Sequence, residues 1–245
     1  MKRPAISLII PAYNEEKRIY NTLLSVSKAA RLFEIETNEE IEIIVVDNNS
    51  NDRTAEIAQI FGIKIVQEER HIISAVRNTG AKAAQGDILC FLDADSEVSE
   101  NIFNLVYHAM QTDAYIGGGA RMKLDQDGLF YKGLSFGSLI MSYITGVSAV
   151  LIYTKRETFE KLGGFDEKYY AGEDLKFIFN LRREGKKVGK LFKNIYDGYV
   201  VTSARKFNAM GLKDITLFAR LLLNNRMMTN PEYCYTWYDL SKRGE

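Results

Sequence analysis

Two aspartates follow an apolar run near the middle of the chain, in the stretch GDILCFLDADSE that spans residues 86–97. Only Ala94 separates Asp93 from Asp95, so an immediate turn would bring their carboxylates together. Carboxylates held close and partly buried both stay ionised only when a cation compensates them; otherwise one takes up a proton. Mg²⁺ and Mn²⁺ prefer such oxygen ligands and commonly bridge carboxylates to a substrate diphosphate. On spacing alone, a solvated acidic turn explains the pattern equally well.

A second acidic motif lies in GGFDEKYYAGEDLKFIFNLRREG, residues 163–185, where a helix is predicted to begin near Glu173. Asp174 at this helix start could do no more than stabilise the helix N-terminus. It could also serve as a general base that activates an acceptor hydroxyl. Composition does not separate the two interpretations.

The elements that position these residues alternate between strand and helix patterns over the first hundred residues. Apolar runs rich in β-branched residues predict strands at 5–10, 41–46, 63–66 and 87–92, with helical spacing between them. The first helix is expected to follow Asn14 as its cap, with Glu15 and Glu16 at its positive end. This alternation predicts an α/β fold with a mostly parallel central sheet flanked by helices.

Polar clusters come directly after three of the predicted strands: PAYNEE, DNNSND and DADSE. Since ligands bind where the carboxyl ends of parallel strands meet, the clusters are expected to converge on one site. Tyr13 could stack on a base there, and Asp47 could accept a hydrogen bond from a base or ribose. The first turn has neither a G-x-G-x-x-G motif nor a Walker motif, which favours a metal as the group that holds phosphates.

The second half of the chain is less regular. Residues 117–133 look like a variable loop or an edge region. Residues 136–154 carry no charge, yet their Gly, Ser, Thr and Tyr content favours a buried helix end followed by a buried strand over a membrane span. A short helix closed by glycines is predicted over 155–165.

Composition excludes several classes of function. The 245-residue chain is 46% hydrophobic and 26% charged, and its 32 basic and 32 acidic residues give no overall field that would favour nucleic acid. Two cysteines provide neither a disulfide framework nor zinc spacing, so a reduced, cytoplasmic compartment is expected, with Cys90 a small buried hydrophobe. His71 and His108 are interpreted as ordinary surface residues and not as ligands.

Five motifs in order resemble glycosyltransferase family 2 over about residues 5–186. They are SLIIPAYNEE, VVDNNSNDRT, RNTGAKAAQGDILCFLDADS, GGFDE and GED followed by a helix with Arg182. The resemblance implies the nucleotide-diphospho-sugar transferase fold called GT-A. It also implies inverting transfer of a sugar from a nucleoside diphosphate sugar, with UDP or GDP as the nucleotide, to a hydroxyl acceptor.

The same resemblance implies roles for residues that bind the donor. Pro11, Tyr13 and Glu15 would line the base and ribose pocket, and Asp47 would contact the base. Arg77, in the stretch AVRN, would lie near the nucleotide or its phosphates.

Metal-binding and catalytic roles follow from the same likeness. Asp93 and Asp95 match the family's Asp-x-Asp motif, in which the second aspartate is the usual direct ligand of Mn²⁺ or Mg²⁺. Asp174 matches the catalytic base. Asn48 departs from the pair of acids that the family often has, and no histidine after His108 could complete the metal shell. The Gln-x-x-Arg-Trp motif of processive synthases is absent too, which favours transfer of a single sugar.

The resemblance ends before the last part of the chain, so a catalytic domain over 1–202 and a helical tail over 203–245 are predicted. Ser203, Arg205 and Lys206 form a small basic group that could contact the donor diphosphate or simply be solvated. Apolar positions from Leu212 to Leu222 lie on one helical face, which would pack on the domain or lie on a membrane surface. The membrane alternative would suit a polyprenyl-phosphate acceptor in place of a sugar or glycan.

Two other functions compete with sugar transfer. A nucleotidyltransferase would need a glycine-rich, basic loop after the first strand, and the sequence has none there. A non-catalytic sugar-nucleotide-binding protein or partner subunit stays open, although intact Asp95 and Asp174 argue against it.

Overall fold

A computed structural model describes residues 2–145, 150–205 and 228–234 of the chain. The strands are β1 Ile6–Ala12, β2 Ile41–Asp47, β3 Lys64–Gln67, β4 Ile88–Leu92, β5 Ser96–Val98, β6 Tyr115–Leu124, β7 Leu151–Lys155 and β8 Leu191–Thr202. The helices are α1 Ile19–Thr37, α2 Thr54–Ile60, α3 Ile73–Ala83, α4 Ile102–Gln111, α5 Leu129–Thr145, α6 Arg156–Lys161 and α7 Glu173–Lys187, and a short 3-10 helix covers Pro231–Tyr233. The predicted tail helix around Leu212 to Leu222 lies outside the described residues.

One eight-stranded sheet runs through the structure in the order β3-β2-β1-β4-β7-β6-β8-β5. The strands β1 to β4 are mutually parallel where they pair, whereas β7 is antiparallel to both β4 and β6, and β5 is antiparallel to β8. The chain places β2 and β3 on one side of β1 and then returns to place β4 on the other. This reversal creates the kind of crevice in which α/β sheets bind ligands. The predicted α/β fold with a mostly parallel sheet is confirmed.

Alternate residues of the sheet pack on its two faces, because successive side chains of a strand point to opposite sides. In β1, Ile6, Leu8 and Ile10 join a core cluster with α1 and α4, whereas Ile9 joins a second cluster with α3, α6 and α7. Cys90 of β4 is fully buried in the first cluster, as predicted, and burial raises the pKa of its thiol. Both faces of the sheet are therefore covered, which makes the strand ends its accessible part.

The uncharged stretch 136–154 contains the end of α5 and the start of β7, as predicted. Among the described residues, no helix is both long and apolar enough to cross a membrane.

The interpretation of residues 117–133 as a loop or edge region was wrong. Its first eight residues, 117–124, belong to β6, which lies inside the sheet between β7 and β8, and its last five, 129–133, begin α5. Three successive glycines obscured the strand, because glycine disfavours a strand interior unless another part of the chain approaches closely. Such an approach exists at Gly118, where an added Cβ would lie 1.9 Å from the Lys193 carbonyl oxygen and 2.3 Å from the Tyr153 hydroxyl oxygen.

Gly118→Ala is accordingly expected to lower the free energy of unfolding by about 1–3 kcal/mol or more, since the strand backbone cannot retreat from a methyl group. Urea denaturation followed by circular dichroism measures the change. Gly137→Ala in α5 is the matched control, because an added Cβ there meets nothing within 4 Å. The control should be neutral or stabilising by about 0.5–1 kcal/mol. Equal effects of the two substitutions would contradict the assignment of Gly118 to a close backbone contact.

The start of α1 also differs from the prediction. Asn14 does not cap the helix: α1 begins at Ile19, no side chain caps it, and its first turn contains no acid. Asn14 instead adopts a left-handed backbone with φ of 52°. The residues between β1 and α1 form a loop at the sheet edge, and Glu15 is thereby available for a different contact.

Candidate active site

The loops that follow β1, β2 and β4 meet at one edge of the sheet. Ala12 of β1 pairs with Asp47 of β2, and Ile9 of β1 pairs with Phe91 of β4, so the three strands end at nearly the same level. Tyr13, Asp47, Asp93 and Asp95 therefore emerge side by side, as the sequence predicts.

Hydrogen bonds lock the loop after β1 to the loop after β2. The backbone N–H of Asn14 donates to Ser50 Oγ at 3.1 Å, and the N–H of Asn51 donates to Asn14 Oδ1 at 2.9 Å. The N–H of Glu15 donates to Thr54 Oγ1 at 2.8 Å. Because each loop satisfies polar groups of the other, the fold itself holds in place the edge that carries Tyr13 and Asp47.

Asp47 is buried at the end of β2, where its Oδ1 accepts a hydrogen bond from the Ser50 N–H at 3.2 Å. Its neighbour Asn48 donates its side-chain amide to the carbonyl oxygens of Glu68 and of Arg70, the latter at 2.9 Å. A carboxylate could not donate these bonds. The asparagine that departs from the family's pair of acids thus has a structural reason in this chain.

Tyr13 is half-buried and packs edge-to-face against His71, with 5.0 Å between the ring centroids. The contact places two aromatic rings at the mouth of the site, next to the ends of β1 and β2. The histidine is an exposed loop residue, as predicted, but its contact with Tyr13 was not foreseen because nothing near it in the sequence indicates a partner.

The loop that carries His71 is held by a cluster of charged side chains. Arg70 forms ion pairs with Glu68 at 2.9 Å and with Glu167 at 2.7 Å. Hydrogen bonds from Arg70 and from the Thr79 hydroxyl outweigh burial and lower the pKa of Glu68 to about 2. This cluster connects the loop after β3 to α3 and to the GGFDE segment.

Asp93 and Glu173 share one buried arginine. Arg77 Nη2 lies 2.9 Å from Asp93 Oδ1, and Arg77 Nη1 donates to Glu173 Oε1. The Arg77 and Glu173 side chains are only 8% and 6% exposed. Burial raises the pKa of Glu173 to about 7, with Arg77 opposing the shift and the negative charge of Asp174 adding to it. Burial lowers the pKa of Arg77, but the carboxylates of Glu173, Asp93 and Asp174 reverse this and leave it raised.

Asp95 and Glu15 share a second buried arginine. Arg205 Nη2 lies 3.1 Å from Asp95 Oδ2 and donates to Glu15 Oε1. The solvated alternative for Arg205 is thereby excluded. Each aspartate of the DAD motif is therefore paired with its own arginine, and each arginine also contacts one buried glutamate.

The consecutive residues of the RNTG motif in α3 each make a different contact. Asn78 both donates to the Phe165 carbonyl and accepts from the Phe165 N–H, at 2.9 Å each, which fixes the GGFDE segment. Thr79 donates to Glu68 at 2.6 Å. An added Cβ on Gly80 would lie 2.4 Å from Ile9 Cγ2, so only glycine lets α3 approach β1 this closely. The motif thus places the Arg77 guanidinium against Asp93.

Asp174 is in the first turn of α7, where the helix dipole favours negative charge. The preceding Gly172 has φ of 71°, and an added Cβ there would lie 2.8 Å from Met228 Sδ. The N–H of Tyr170 donates to the Met228 carbonyl at 2.9 Å. The turn that presents Asp174 is therefore buttressed by residues 228–234, near the end of the chain.

The carboxylates of the site fit a divalent cation only in part. Within residues 2–145, 150–205 and 228–234, no group of three or more His, Cys, Asp or Glu side chains is arranged to hold a metal ion. Two carboxylates at a sheet edge do suit a hard cation that completes its shell with water and diphosphate oxygens. The two carboxylates therefore fit a cation that binds together with a diphosphate. They do not fit a cation whose ligands all come from protein side chains.

The predicted site residues fall into two groups. Tyr13, Asp47, Asp93 and Asp95 lie at the sheet edge, where Tyr13 and Asp93 are partly exposed and the side chains of Asp47 and Asp95 are buried; Pro11 is buried within β1. Four others are engaged in ion pairs or lie at a helix start: Arg205 pairs with Glu15 and Asp95, Arg77 pairs with Asp93 and Glu173, and Asp174 lies at the start of α7. Sequence reasoning missed Glu173, although the GED motif contains it. The available signal was a glutamate at the first position of a helix that packs on the core.

Both the sequence and the fold of the chain match known proteins. Residues 7–171 match the sequence model of the family described as Glycosyl transferase family 2, which is more than half of the chain. A relative, the uncharacterized glycosyltransferase EpsJ of Bacillus subtilis, is 28% identical over 214 residues. The match covers 79% of this chain and 60% of EpsJ, so the chain spans less than two thirds of that relative's length.

Two solved structures share the fold. Glucosyl-3-phosphoglycerate synthase from Mycobacterium tuberculosis, in complex with Mn²⁺, UDP and phosphoglyceric acid, superposes with a TM-score of 0.61 at 18% identity, covering 95% of this chain and 78% of the other. The mannosyltransferase PcManGT from Pyrobaculum calidifontis, in complex with GDP-Man and Mn²⁺, gives 0.62 at 18% identity, covering 91% and 66%. At these identities the likeness concerns the fold, and it confirms the GT-A fold predicted from the sequence.

Proposed function

Since the chain belongs to glycosyl transferase family 2, we propose that it transfers a single sugar from a nucleoside diphosphate sugar to an acceptor, with inversion at the anomeric carbon. The relatives with the same fold bind UDP or GDP-Man, which supports UDP or GDP as the nucleotide part of the donor. The acceptor would be a hydroxyl of a sugar or glycan, or a lipid phosphate such as polyprenyl phosphate.

One observation carries this proposal. A single buried side chain, Arg77, joins Asp93 of the DAD motif to Glu173, the residue directly before Asp174. The carboxylates suited to a diphosphate-bound cation and the candidate base are therefore connected through one side chain. A displacement reaction needs this arrangement, because leaving group and base must lie on opposite sides of one sugar carbon at a fixed separation.

The donor would bind along the sheet edge. Tyr13 offers a flat ring for the base, and Asp47 offers a carboxylate oxygen to a base or ribose donor group. The loop–loop hydrogen bonds of Asn14 and Asn51 hold both in place. A divalent cation bound with the donor would be held by Asp93 and Asp95, and it would stabilise the charge that develops on the leaving diphosphate.

Asp174 would act on the acceptor. A carboxylate within about 3 Å of the attacking hydroxyl accepts its proton as the new bond forms. Its position in the first turn of α7 favours the ionised form that a base requires, because the helix dipole stabilises negative charge there. One displacement by the activated oxygen inverts the anomeric carbon.

A thermal-shift screen of nucleoside diphosphate sugars, with and without Mn²⁺, tests the proposal and identifies the donor. We expect one donor to raise the melting temperature, and to do so strongly only with Mn²⁺, since binding to the native state stabilises it. The selected donor is then incubated with candidate acceptors. Donor binding without any transfer or donor hydrolysis would favour a non-catalytic sugar-nucleotide-binding protein, and no shift with any donor would refute the proposal.

A further inference from the structure

Arg205, Glu15 and Asp95 form a buried triad at the site, and each of the three side chains is only 7% exposed. The carboxylate of Asp93, by contrast, is 44% exposed. The aspartate that would be the direct metal ligand is therefore the less accessible of the pair. The guanidinium of Arg205 covers part of the Asp95 carboxylate, with Nη2 3.1 Å from Asp95 Oδ2.

The backbone on both sides of this triad is anchored. The N–H of Ala204 donates to Asp125 Oδ1 at 2.8 Å, and the N–H of Asp125 donates to the Thr202 carbonyl at 3.1 Å. On the other side, the Thr54 hydroxyl accepts a hydrogen bond from the backbone N–H of Glu15. An exchange of partners by the charged ends would therefore take place by side-chain rotation and not by movement of β8 or of the β1 loop.

A cation approaching Asp95 in the free protein would meet a like charge. Two positive charges a few ångströms apart repel strongly in a partly buried site, where screening by water is weak. A diphosphate, in contrast, offers oxygens that a guanidinium binds through paired, charge-assisted hydrogen bonds. If a diphosphate arrived together with the cation, its oxygens would replace the hydrogen bonds that Arg205 loses when it leaves Asp95.

We propose that Arg205 is an exchangeable counter-ion that prevents the cation from loading onto Asp95 until a nucleoside diphosphate is present. In the free protein Arg205 pairs with Asp95 and Glu15; when the donor binds, Arg205 contacts the diphosphate and the cation takes its place at Asp95. This inference rests on the proposed function and adds the order of events at its site. Cation and nucleotide then bind cooperatively, each raising the affinity of the other by the same factor.

Mn²⁺ binding measured by electron paramagnetic resonance tests this without any turnover. The titrations use the full chain at 0.15 M salt, alone and with saturating UDP or GDP. Without nucleotide, Arg205→Gln is expected to bind Mn²⁺ at least about five-fold more tightly than the wild type, the lower end of typical coupling between sites. The increase in Mn²⁺ affinity caused by the nucleotide is expected to shrink by a similar factor.

Arg3→Gln is the matched control. Arg3 Nη2 also lies 3.1 Å from an aspartate oxygen, that of Asp87, but at the amino ends of β1 and β4, away from the site. This substitution removes the same charge and should leave Mn²⁺ affinity unchanged. An Arg205→Gln variant that binds Mn²⁺ no more tightly than the wild type, or an equal gain in Arg3→Gln, would overturn the proposal.

A second pair of variants covers the case in which Arg205→Gln does not fold. Glu15→Gln alone is compared with Glu15→Gln combined with Arg205→Gln, which removes one negative and one positive charge from the triad. The double variant is expected to bind Mn²⁺ more tightly than the single one, and equal affinities would refute the exchange. If the wild type binds neither UDP nor GDP with Mn²⁺, the proposed function itself fails; normal nucleotide binding with unchanged Mn²⁺ affinity in the variants rejects only the role of Arg205.

Discussion

Asp174→Asn is expected to lower kcat by about 10²- to 10⁴-fold, the usual contribution of a positioned general base, while donor affinity stays within a factor of two or so. The asparagine keeps the size of the side chain at the start of α7 but cannot accept the acceptor's proton. Donor affinity is measured by calorimetry with Mn²⁺, and kcat with the donor and acceptor found in the screen. The donor is proposed to contact Tyr13, Asp47 and the DAD pair but not Asp174, so the two effects should dissociate.

Asp113→Asn is the control for this prediction. Asp113 is 91% exposed and pairs with Lys190 at 2.6 Å, and it lies in the segment before β6, outside the cluster of site residues. The Asp113→Asn variant should keep the kcat and the donor affinity of the wild type. If Asp174→Asn retained wild-type turnover, another group would have to be the base. A comparable loss of donor affinity would instead assign Asp174 to donor binding.

Arg77→Gln is expected to lower the free energy of unfolding by about 3–5 kcal/mol, because it leaves the buried Glu173 and the partly buried Asp93 without their shared cation. Glu173 accounts for more of this loss, because its side chain is 6% exposed whereas that of Asp93 is 44% exposed. Urea unfolding followed by circular dichroism gives the change. Adding Glu173→Gln to the variant is expected to restore part of the loss, because the uncompensated buried charge is then gone.

Arg53→Gln provides the comparison for an exposed pair. Arg53 and Glu56 lie 2.9 Å apart, much like Arg77 and Asp93, but their side chains are 66% and 58% exposed. Exposed ion pairs contribute about 0–1 kcal/mol to the free energy of unfolding, so Arg53→Gln should be nearly as stable as the wild type. Equal effects at the two arginines, or no recovery in the Arg77→Gln and Glu173→Gln double variant, would contradict the account of Arg77 as a buried link between Asp93 and Glu173.

Local patterns in the sequence predicted the first half of the fold. Apolar runs that end in polar clusters identified β1, β2 and β4, and the rule that parallel strands end at one edge brought Tyr13, Asp47 and the DAD pair together. These features depend on neighbours within a few residues, which a sequence displays directly. The mixed sheet beyond β4 was harder, because Gly117 and Gly118 of β6 are explained only by distant parts of the chain that approach them closely.

The charge balance of the site could not be predicted in the same way. Glu173 lies 96 positions from Arg77, and Glu15 lies 190 positions from Arg205. No local spacing connects such partners, so the prediction that Arg77 lies near the nucleotide or its phosphates, and Glu15 in the base and ribose pocket, depends on resemblance alone. Their roles toward the donor remain predictions, and their ion pairs with Glu173 and Arg205 are what the fold adds.

A crystal structure with Mn²⁺ and the nucleoside diphosphate selected in the screen tests the central claim most directly, since the anomalous signal of manganese locates the cation. We predict a manganese peak at the DAD motif, within about 2.0–2.4 Å of an Asp95 oxygen and of diphosphate oxygens, with the base against Tyr13 and Arg205 turned from Asp95 toward the diphosphate. A nucleotide bound away from the edge formed by β1, β2 and β4, or a manganese ion that contacts neither Asp93 nor Asp95, would contradict it.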